Sequence, residues 1–301
     1  MMNYPTIKKT KATAIILACF RTLPLPFRRW LFTGMFNLFY YLSAKHRLIA
    51  LHNLARAFPE KPMSELKQIA RGVYRSLGLV AAEFFEIPSL TKENIRQYIK
   101  VEGLDYCTEA LKKNKGMLIF GAHFGNWELC AAATALLLKP MMVIYRRLDS
   151  AVLDNLVAWS RSVTGNIPLE KDFAMRPMLR HLKENGIIAL LIDQNVAWQE
   201  GVFVNYFGRL ACTTNGLAIL ALHTGAPVIP AAAVRQKDGT YKLIFGKEIE
   251  LIRMGDRIEE ELGNTQLFMK VIEDRVRQYP DQWLWIHQRW KTKPCQVKTI
   301  K

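Results

Sequence analysis

The sequence predicts an α/β fold: a mixed, mainly parallel sheet flanked by helices, with a helical region at the N-terminus. Three observations carry this prediction. From about residue 98 to residue 278, short apolar runs alternate with segments of helical period, as in sheets whose crossovers pack on both faces. Lys237-Asp238-Gly239-Thr240 separates the last two apolar runs as a hairpin turn would, which makes the final strands antiparallel and the sheet mixed. Before residue 95 only helical periods occur. Half of the 301 residues are hydrophobic, enough for one large core with an appendage.

In chain order, residues 12–20 and 30–42 are apolar stretches joined by a basic, proline-containing segment with Arg21, Pro24, Pro26, Arg28 and Arg29. Neither reaches the roughly 18 residues that a bilayer-spanning helix needs. With Trp30, Phe32, Phe36, Phe39, Tyr40 and Tyr41, the second suits a segment lying in a membrane interface with basic residues toward headgroups. A helical pair packed on the rest of the chain is the other reading, and the two are compatible. No small-residue cleavage site follows the first stretch, so no cleaved signal is expected. Residues 46–58 and 64–87 read as helices separated by Pro59 and Pro62; in the second, Leu66, Ile69, Val73, Leu77, Val80 and Phe84 recur at three and four. Residues 1–95 are therefore expected to form an N-terminal helical, membrane-associating region, and 96–295 an α/β domain.

Within that domain, strands are expected at 98–101, 117–120, 141–145, 187–192, 228–234 and 241–245. Helices are expected at 104–113, 126–138, 151–163, 172–185, 213–224 and 265–278, with Thr213 and Thr214 as N-caps. Ligands of such sheets bind beyond the carboxyl ends of strands. Those ends carry His123, Arg146, and Asp193 with Gln194.

The most informative stretch runs from Gly116 to Cys130. Residues 117–120 are apolar without alternation, suited to a strand covered on both faces. Gly121 and Gly125 free the backbone to turn, and from Asn126 onward Trp127, Leu129, Cys130, Ala133, Leu136 and Leu137 have a helical period. His123 thus falls in a strand-to-helix turn, and Glu128 in the first helical turn, where the dipole favours a carboxylate. On one continuous helix the two would stand about 140° apart; across a bend they can converge. An imidazole held by a carboxylate takes a proton from a hydroxyl, while the carboxylate fixes its tautomer. No protein nucleophile stands beside them, so a substrate hydroxyl is the expected attacking group. The alternative is a histidine that merely ties down the loop. The two-histidine zinc signature is absent, and neither a metal nor a redox cofactor is expected.

The other site residues follow from the same chemistry. Backbone N–H groups around Gly125 and Asn126 are the nearest supply of oxyanion donors. Arg146 suits a phosphate, with Arg147 as its rival. Asp193 and Gln194 either position an acceptor or brace the His123 pair.

The balance of 42 Lys and Arg against 26 Asp and Glu gives a formal charge of +16, which calls for an anionic partner: nucleic acid, lipid headgroups or an acidic carrier protein. No zinc-finger spacing or glycine-aromatic RNA signature supports the first. Cys19, Cys107, Cys130, Cys212 and Cys295 are odd in number and widely spaced, which suits a reducing compartment.

His123-Phe124-Gly125-Asn126-Trp127-Glu128 resembles the His-x4-Asp/Glu box of the bacterial lipid A biosynthesis acyltransferases, the lauroyl and myristoyl transferases of the lysophospholipid acyltransferase superfamily. Similar blocks follow in the same order: Tyr145-Arg146, Asp193-Gln194, the stretch 201–208 with Thr213-Thr214, the stretch 225–230, and the tail 283–291 with its three tryptophans. The resemblance spans about residues 53–291. It implies a glycerolipid-acyltransferase-like fold and transfer of a fatty acyl group from acyl carrier protein or coenzyme A to a hydroxyl of a glycolipid, a lipid A precursor, at the cytoplasmic face of the bacterial inner membrane. His123 would be the base, Glu128 its partner, and Gly125, Asn126, Arg146, Asp193 and Gln194 the substrate-binding residues. Trp198, Phe203, Tyr206 and Phe207 would line the acyl chain or act as a lid, or else pack as a closed loop. Arg147 stands where the family usually has Pro, and Tyr206 where it has Phe; both bear on the acceptor. An acyl thioesterase with the same dyad and a non-catalytic basic membrane-binding protein are the rival readings.

Overall fold

A computed structural model describes residues 6–172 and 174–294; Cys295 lies outside them. The N-terminal region is four helices, α1 (Lys11–Arg21), α2 (Leu25–Leu42), α3 (Ala44–Ala57) and α4 (Met63–Phe84). Thr10 caps α1 by accepting from the Thr13 N–H, and Pro26 sits in the first turn of α2, where its missing N–H costs nothing. These helices share the core of the remaining chain: Tyr40, Leu54, Leu66, Val73 and Tyr74 pack in one buried cluster with Phe120, Phe268 and Trp285. Asn53 of α3 donates to the Trp285 and His287 carbonyls at 2.8 and 2.7 Å, tying the helical region to the C-terminal segment.

The α/β part runs β1 (Ile99–Glu102), α5 (Leu104–Lys112), β2 (Met117–Gly121), α6 (Trp127–Leu137), β3 (Met141–Tyr145), α7 (Ala151–Val163), β4 (Ile167–Glu170), α8 (Met175–Lys183), β5 (Ile187–Leu191), β6 (Gly201–Tyr206), β7 (Arg209–Thr214), α9 (Gly216–Thr224), β8 (Val228–Arg235), β9 (Tyr241–Phe245) and α10 (Arg257–Gln278). Seven strands form one sheet in the order β1-β9-β8-β2-β5-β3-β4. All neighbours are parallel except β8 and β9, joined by the expected hairpin. The fold is therefore a mixed, mostly parallel sheet flanked by helices.

Met117, Leu118, Ile119 and Phe120 of β2 are all buried because this central strand is covered twice. Leu118 and Phe120 join the cluster beneath α9 and α10, while Met117 and Ile119 join that beneath α5 and α6. Burying large aliphatic and aromatic side chains on both faces contributes about 1.5–3 kcal/mol each.

Three differences from the expected elements have physical reasons. The stretch 193–211, to which the sequence assigns no element between the expected strand 187–192 and helix 213–224, contains β6 and most of β7, an antiparallel hairpin. Its turn is Phe207-Gly208, both at positive φ, where a turn signal such as Asn-Gly would have been visible. Tyr206 and Phe207 are core residues stacked edge-on against Trp283 and Trp285, not a lid. Thr213 and Thr214 close β7 rather than capping a helix, and α9 starts at Gly216. Helix α10 begins eight residues before position 265, because Asp256 accepts from the N–H groups of Ile258 and Glu259 ahead of a charged first turn.

Candidate active site

Chain direction at the site is set by the glycine turn after β2. Gly125 sits at φ 57°, and a Cβ there would lie 1.8 Å from the Ala233 carbonyl oxygen, so only glycine fits. Its N–H donates to the Gln282 carbonyl at 2.8 Å, and the Asn126 N–H to the Ala233 carbonyl at 3.2 Å. These two donors are consumed by the fold, so they do not form the oxyanion hole that the sequence suggests. Asn126 instead caps α6, its side-chain oxygen accepting from the Leu129 N–H at 3.0 Å. Its amide nitrogen donates at 3.0 Å to the buried Glu83 carboxylate, which also receives Arg29, Arg235 and Tyr241. Gly125 and Asn126 thus build the turn and anchor the helix.

The turn delivers His123 beside the end of β5. Its Nδ1 lies 2.9 Å from Asp193 Oδ1, and its backbone N–H donates to Oδ2 at 3.0 Å. Trp283 completes the carboxylate's shell, its indole N–H donating to Oδ2 at 2.8 Å. Burial alone would push the Asp193 carboxyl up, but the imidazole and these donors hold it below its ordinary range. An ionised Asp193 accepts the Nδ1–H hydrogen bond, keeping the proton on Nδ1 and the lone pair on Nε2. Gln194 Nε2 stands 3.5 Å from that nitrogen. The imidazole lies edge-on to the Trp127 ring at 5.4 Å between centroids and keeps part of its surface open, while Asp193 is sealed.

Glu128, which the sequence expects to hold the imidazole, makes no hydrogen bond to it among the described residues. Both Glu128 oxygens are engaged elsewhere: Arg161 Nη2 donates to Oε1 at 2.5 Å and Nε to Oε2 at 2.9 Å, and Trp127 Nε1 donates to Oε1 at 3.1 Å. Burial works against the Glu128 charge, yet Arg161, Trp127 and the nearby His123 together lower its pKa. Arg161 is likewise raised by Glu128 against its own burial, and it lies over the Tyr145 ring. The chain thus presents a buried ion pair on the Trp127 side of His123 and a buried aspartate behind it. Arg161 was not singled out from the sequence, although Asp154, Ala158 and Arg161 at spacings of four and three put charges on an inward helix face.

Arg146 is not gathered into this cluster. It projects into solvent at the end of β3, 3.9 Å from Asp149, while Arg147 pairs with Asp154 at 3.4 Å.

The tail 283–291 braces the aspartate side. The Asn195 N–H donates to His287 Nε2 at 2.9 Å, and Arg289, fully buried, donates to the Cys212 carbonyl at 2.7 Å and to Thr213 Oγ1. Burial lowers the His287 pKa from 6.5 to about 4. The unfolded chain therefore binds a proton that the folded one refuses, and the stability held above pH 6.5 declines as pH falls toward 4. His287→Gln, which keeps a polar acceptor but cannot charge, should flatten the thermal midpoint against pH over that interval. An unchanged slope would assign the acid sensitivity to other groups.

Comparison with known proteins gives the following. A family model described as bacterial lipid A biosynthesis acyltransferase matches residues 2–292. A lipid A biosynthesis palmitoleoyltransferase of Escherichia coli K12 is 28% identical over 82% of this chain and 79% of its own length. A lipid A biosynthesis lauroyltransferase of the same organism is 26% identical over 90% of this chain and 88% of its own. A phosphatidylinositol mannoside acyltransferase of Mycolicibacterium smegmatis is 23% identical over 79% of this chain and 77% of its own.

Proposed function

Because the chain belongs to the bacterial lipid A biosynthesis acyltransferase family, we propose that it moves a fatty acyl chain from a carrier thioester, acyl carrier protein or coenzyme A, onto a hydroxyl of a lipid A precursor. The observation that carries this reading is His123, fixed on its Nδ1 edge by Asp193 with its Nε2 lone pair turned toward the Gln194 amide at 3.5 Å. Nε2 takes the hydroxyl proton as the hydroxyl oxygen attacks the thioester carbon. The imidazolium that forms is stabilised by the Asp193 carboxylate behind it and by the field of Glu128 beside it. When the tetrahedral intermediate collapses, the C–S bond breaks and Nε2 returns the proton to sulfur, leaving an ester and a free thiol. The Gln194 amide and the positive end of α6 are the oxyanion donors in this scheme, replacing the consumed N–H groups of the glycine turn. Glu128 holds Arg161 at the edge of the same space. Arg146, exposed at the strand end, meets phosphate of an incoming carrier or substrate.

The membrane setting has its own support. Phe27, Trp30, Met35, Leu38, Tyr41 and Leu42 of α2 are exposed, and a charge of +16 favours anionic headgroups. Among the described residues no helix is long and apolar enough to cross a membrane. The reading therefore has the protein lying on the cytoplasmic face of the inner membrane through its N-terminal helices.

The test supplies purified protein with a labelled acyl thioester, with and without lipid A precursor. Transfer predicts label in the glycolipid and little free fatty acid. Release of free acid that added acceptor does not reduce would make the protein a thioesterase instead. Label accepted only by a phosphatidylinositol mannoside would move the acceptor to the other glycolipid class named among its relatives.

A further inference from the structure

Helices α2 and α4 pair Phe32 with Gly78 and Tyr40 with Tyr74, so they run antiparallel. They pass closely at Gly78, where a Cβ would come within 2.8 Å of the Phe32 carbonyl oxygen. Toward the N-terminal half of α4 the seam opens into a groove of about 750 Å³, within the ~300–1,000 Å³ typical of ligand clefts. One wall is the α2 stripe Trp30, Thr33, Gly34 and Asn37; the other is the α4 stripe Gln68, Arg71, Gly72 and Arg75. Both stripes follow i, i+3, i+4, i+7, which puts each set on one helix face. Each has a glycine at its centre. A Cβ at Gly34 would meet nothing within 4 Å, so the missing side chain leaves that wall open.

The chemistry of the walls is specific. Arg71 and Arg75 stand one turn apart, both exposed, and neither joins an ion pair among the described residues; Arg71 lies over the Tyr40 ring, at 5.8 Å. Glu65, the nearer acid on α4, is already taken by Lys61. Asp281 closes one end over Gly72, with Asn37 and Gln68 alongside. Two guanidinium groups one turn apart suit a phosphate, while an indole, two amides and a carboxylate suit the C–H face and hydroxyls of a sugar. Trp30 also belongs to the exposed apolar side of α2, its ring 5.5 Å from that of Phe27, so the mouth of the groove lies where lipid chains would be.

We propose that the α2–α4 groove binds the phosphorylated sugar headgroup of a membrane glycolipid, with the acyl chains along the apolar side of α2. This rests on the reading that the acceptor is a glycolipid, but its test does not need turnover.

Binding of the full chain to uncharged detergent micelles is measured with lipid A in them, before and after phosphatase treatment. Wild type should bind the phosphorylated form at least roughly tenfold more tightly, the effect of losing one or two charge-assisted hydrogen bonds. Apolar contacts of α2 are the same in both micelles and cancel. Arg71→Ala/Arg75→Ala should abolish the preference, and Arg71→Lys/Arg75→Lys should keep part of it. Gly34→Leu, which puts a side chain into the groove while keeping both arginines and removes a helical glycine, should abolish it too in a protein that melts no earlier. A preference intact in either disabling variant overturns the proposal. So does full competition by millimolar inorganic phosphate, which would make the site one for free phosphate. Failure of the acyl-transfer assay with this preference intact would count against the proposed reaction and leave the groove standing.

Discussion

Asp193→Asn lowers acyl transfer roughly 10³- to 10⁴-fold while the protein still folds, by the tautomer argument known for catalytic triads. Oδ2 of Asp193 accepts from the Trp283 indole N–H and the His123 backbone N–H. In the variant the amide oxygen must occupy that position, since an NH₂ group there would face two donors. The NH₂ group then faces Nδ1 and forces the imidazole proton onto Nε2, removing the lone pair that takes the hydroxyl proton. His123→Ala should cost a similar factor, and the double variant little more than either, because the two residues act as one unit. The aspartate also links stability to pH. Its folded pKa is depressed, so its contribution is present above the ordinary carboxyl range and is lost as pH falls through the folded value. Asp193→Asn should therefore lose part of the acid-induced fall in thermal midpoint. Steady-state rates beside melting curves, on the same preparations, check both parts.

Glu128→Gln should act first on stability. Its carboxylate and the Arg161 guanidinium form a buried, two-point ion pair with side-chain exposures of 8% and 13%. Removing one partner leaves the other charge uncompensated, at a cost of about 3–5 kcal/mol. Arg161→Met should cost a similar amount for the complementary reason. The double variant Glu128→Gln/Arg161→Met should recover much of the loss, because no isolated charge remains. The Glu128 pKa is lowered, so this contribution holds above 4.5 and fades as pH falls below it. Assayed well below its midpoint, Glu128→Gln should retain more transfer than Asp193→Asn, with a loss of roughly 10- to 100-fold from the weakened field at His123. A Glu128 variant of wild-type stability and no activity would return to Glu128 the role of proton partner that the sequence alone suggests.

Much of the architecture was legible because its signals are local. The unbroken apolar run of β2, the glycines after it and the helical period from Asn126 placed His123 in a strand-to-helix turn. The hairpin at Lys237 to Thr240 gave the antiparallel pair β8–β9. Asp193 was legible as a strand-end residue that positions an acceptor or braces the pair, but its place on Nδ1 was not, because that depends on strand register. In the parallel pair β2–β5, Gly121 lies opposite Leu191, so His123 and Asp193, each two residues further on, leave the sheet side by side. Spacing along the chain sees Glu128 five residues away and cannot see a partner seventy residues away. The β6–β7 hairpin escaped for another reason: its turn residue Phe207 takes positive φ, which sequence assigns to glycine or asparagine, and tertiary packing against Trp285 and Arg277 holds it there.

The most direct test of His123 as the base that makes a glycolipid ester is a single-turnover experiment. Wild type and His123→Ala are each mixed in excess with a labelled acyl carrier protein thioester and lipid A precursor in micelles, and the label in glycolipid is followed with time. The account predicts rapid appearance of labelled glycolipid with wild type and a rate lower by roughly 10³-fold or more with His123→Ala, at equal melting temperature. Transfer by His123→Ala within a few-fold of wild type would contradict it.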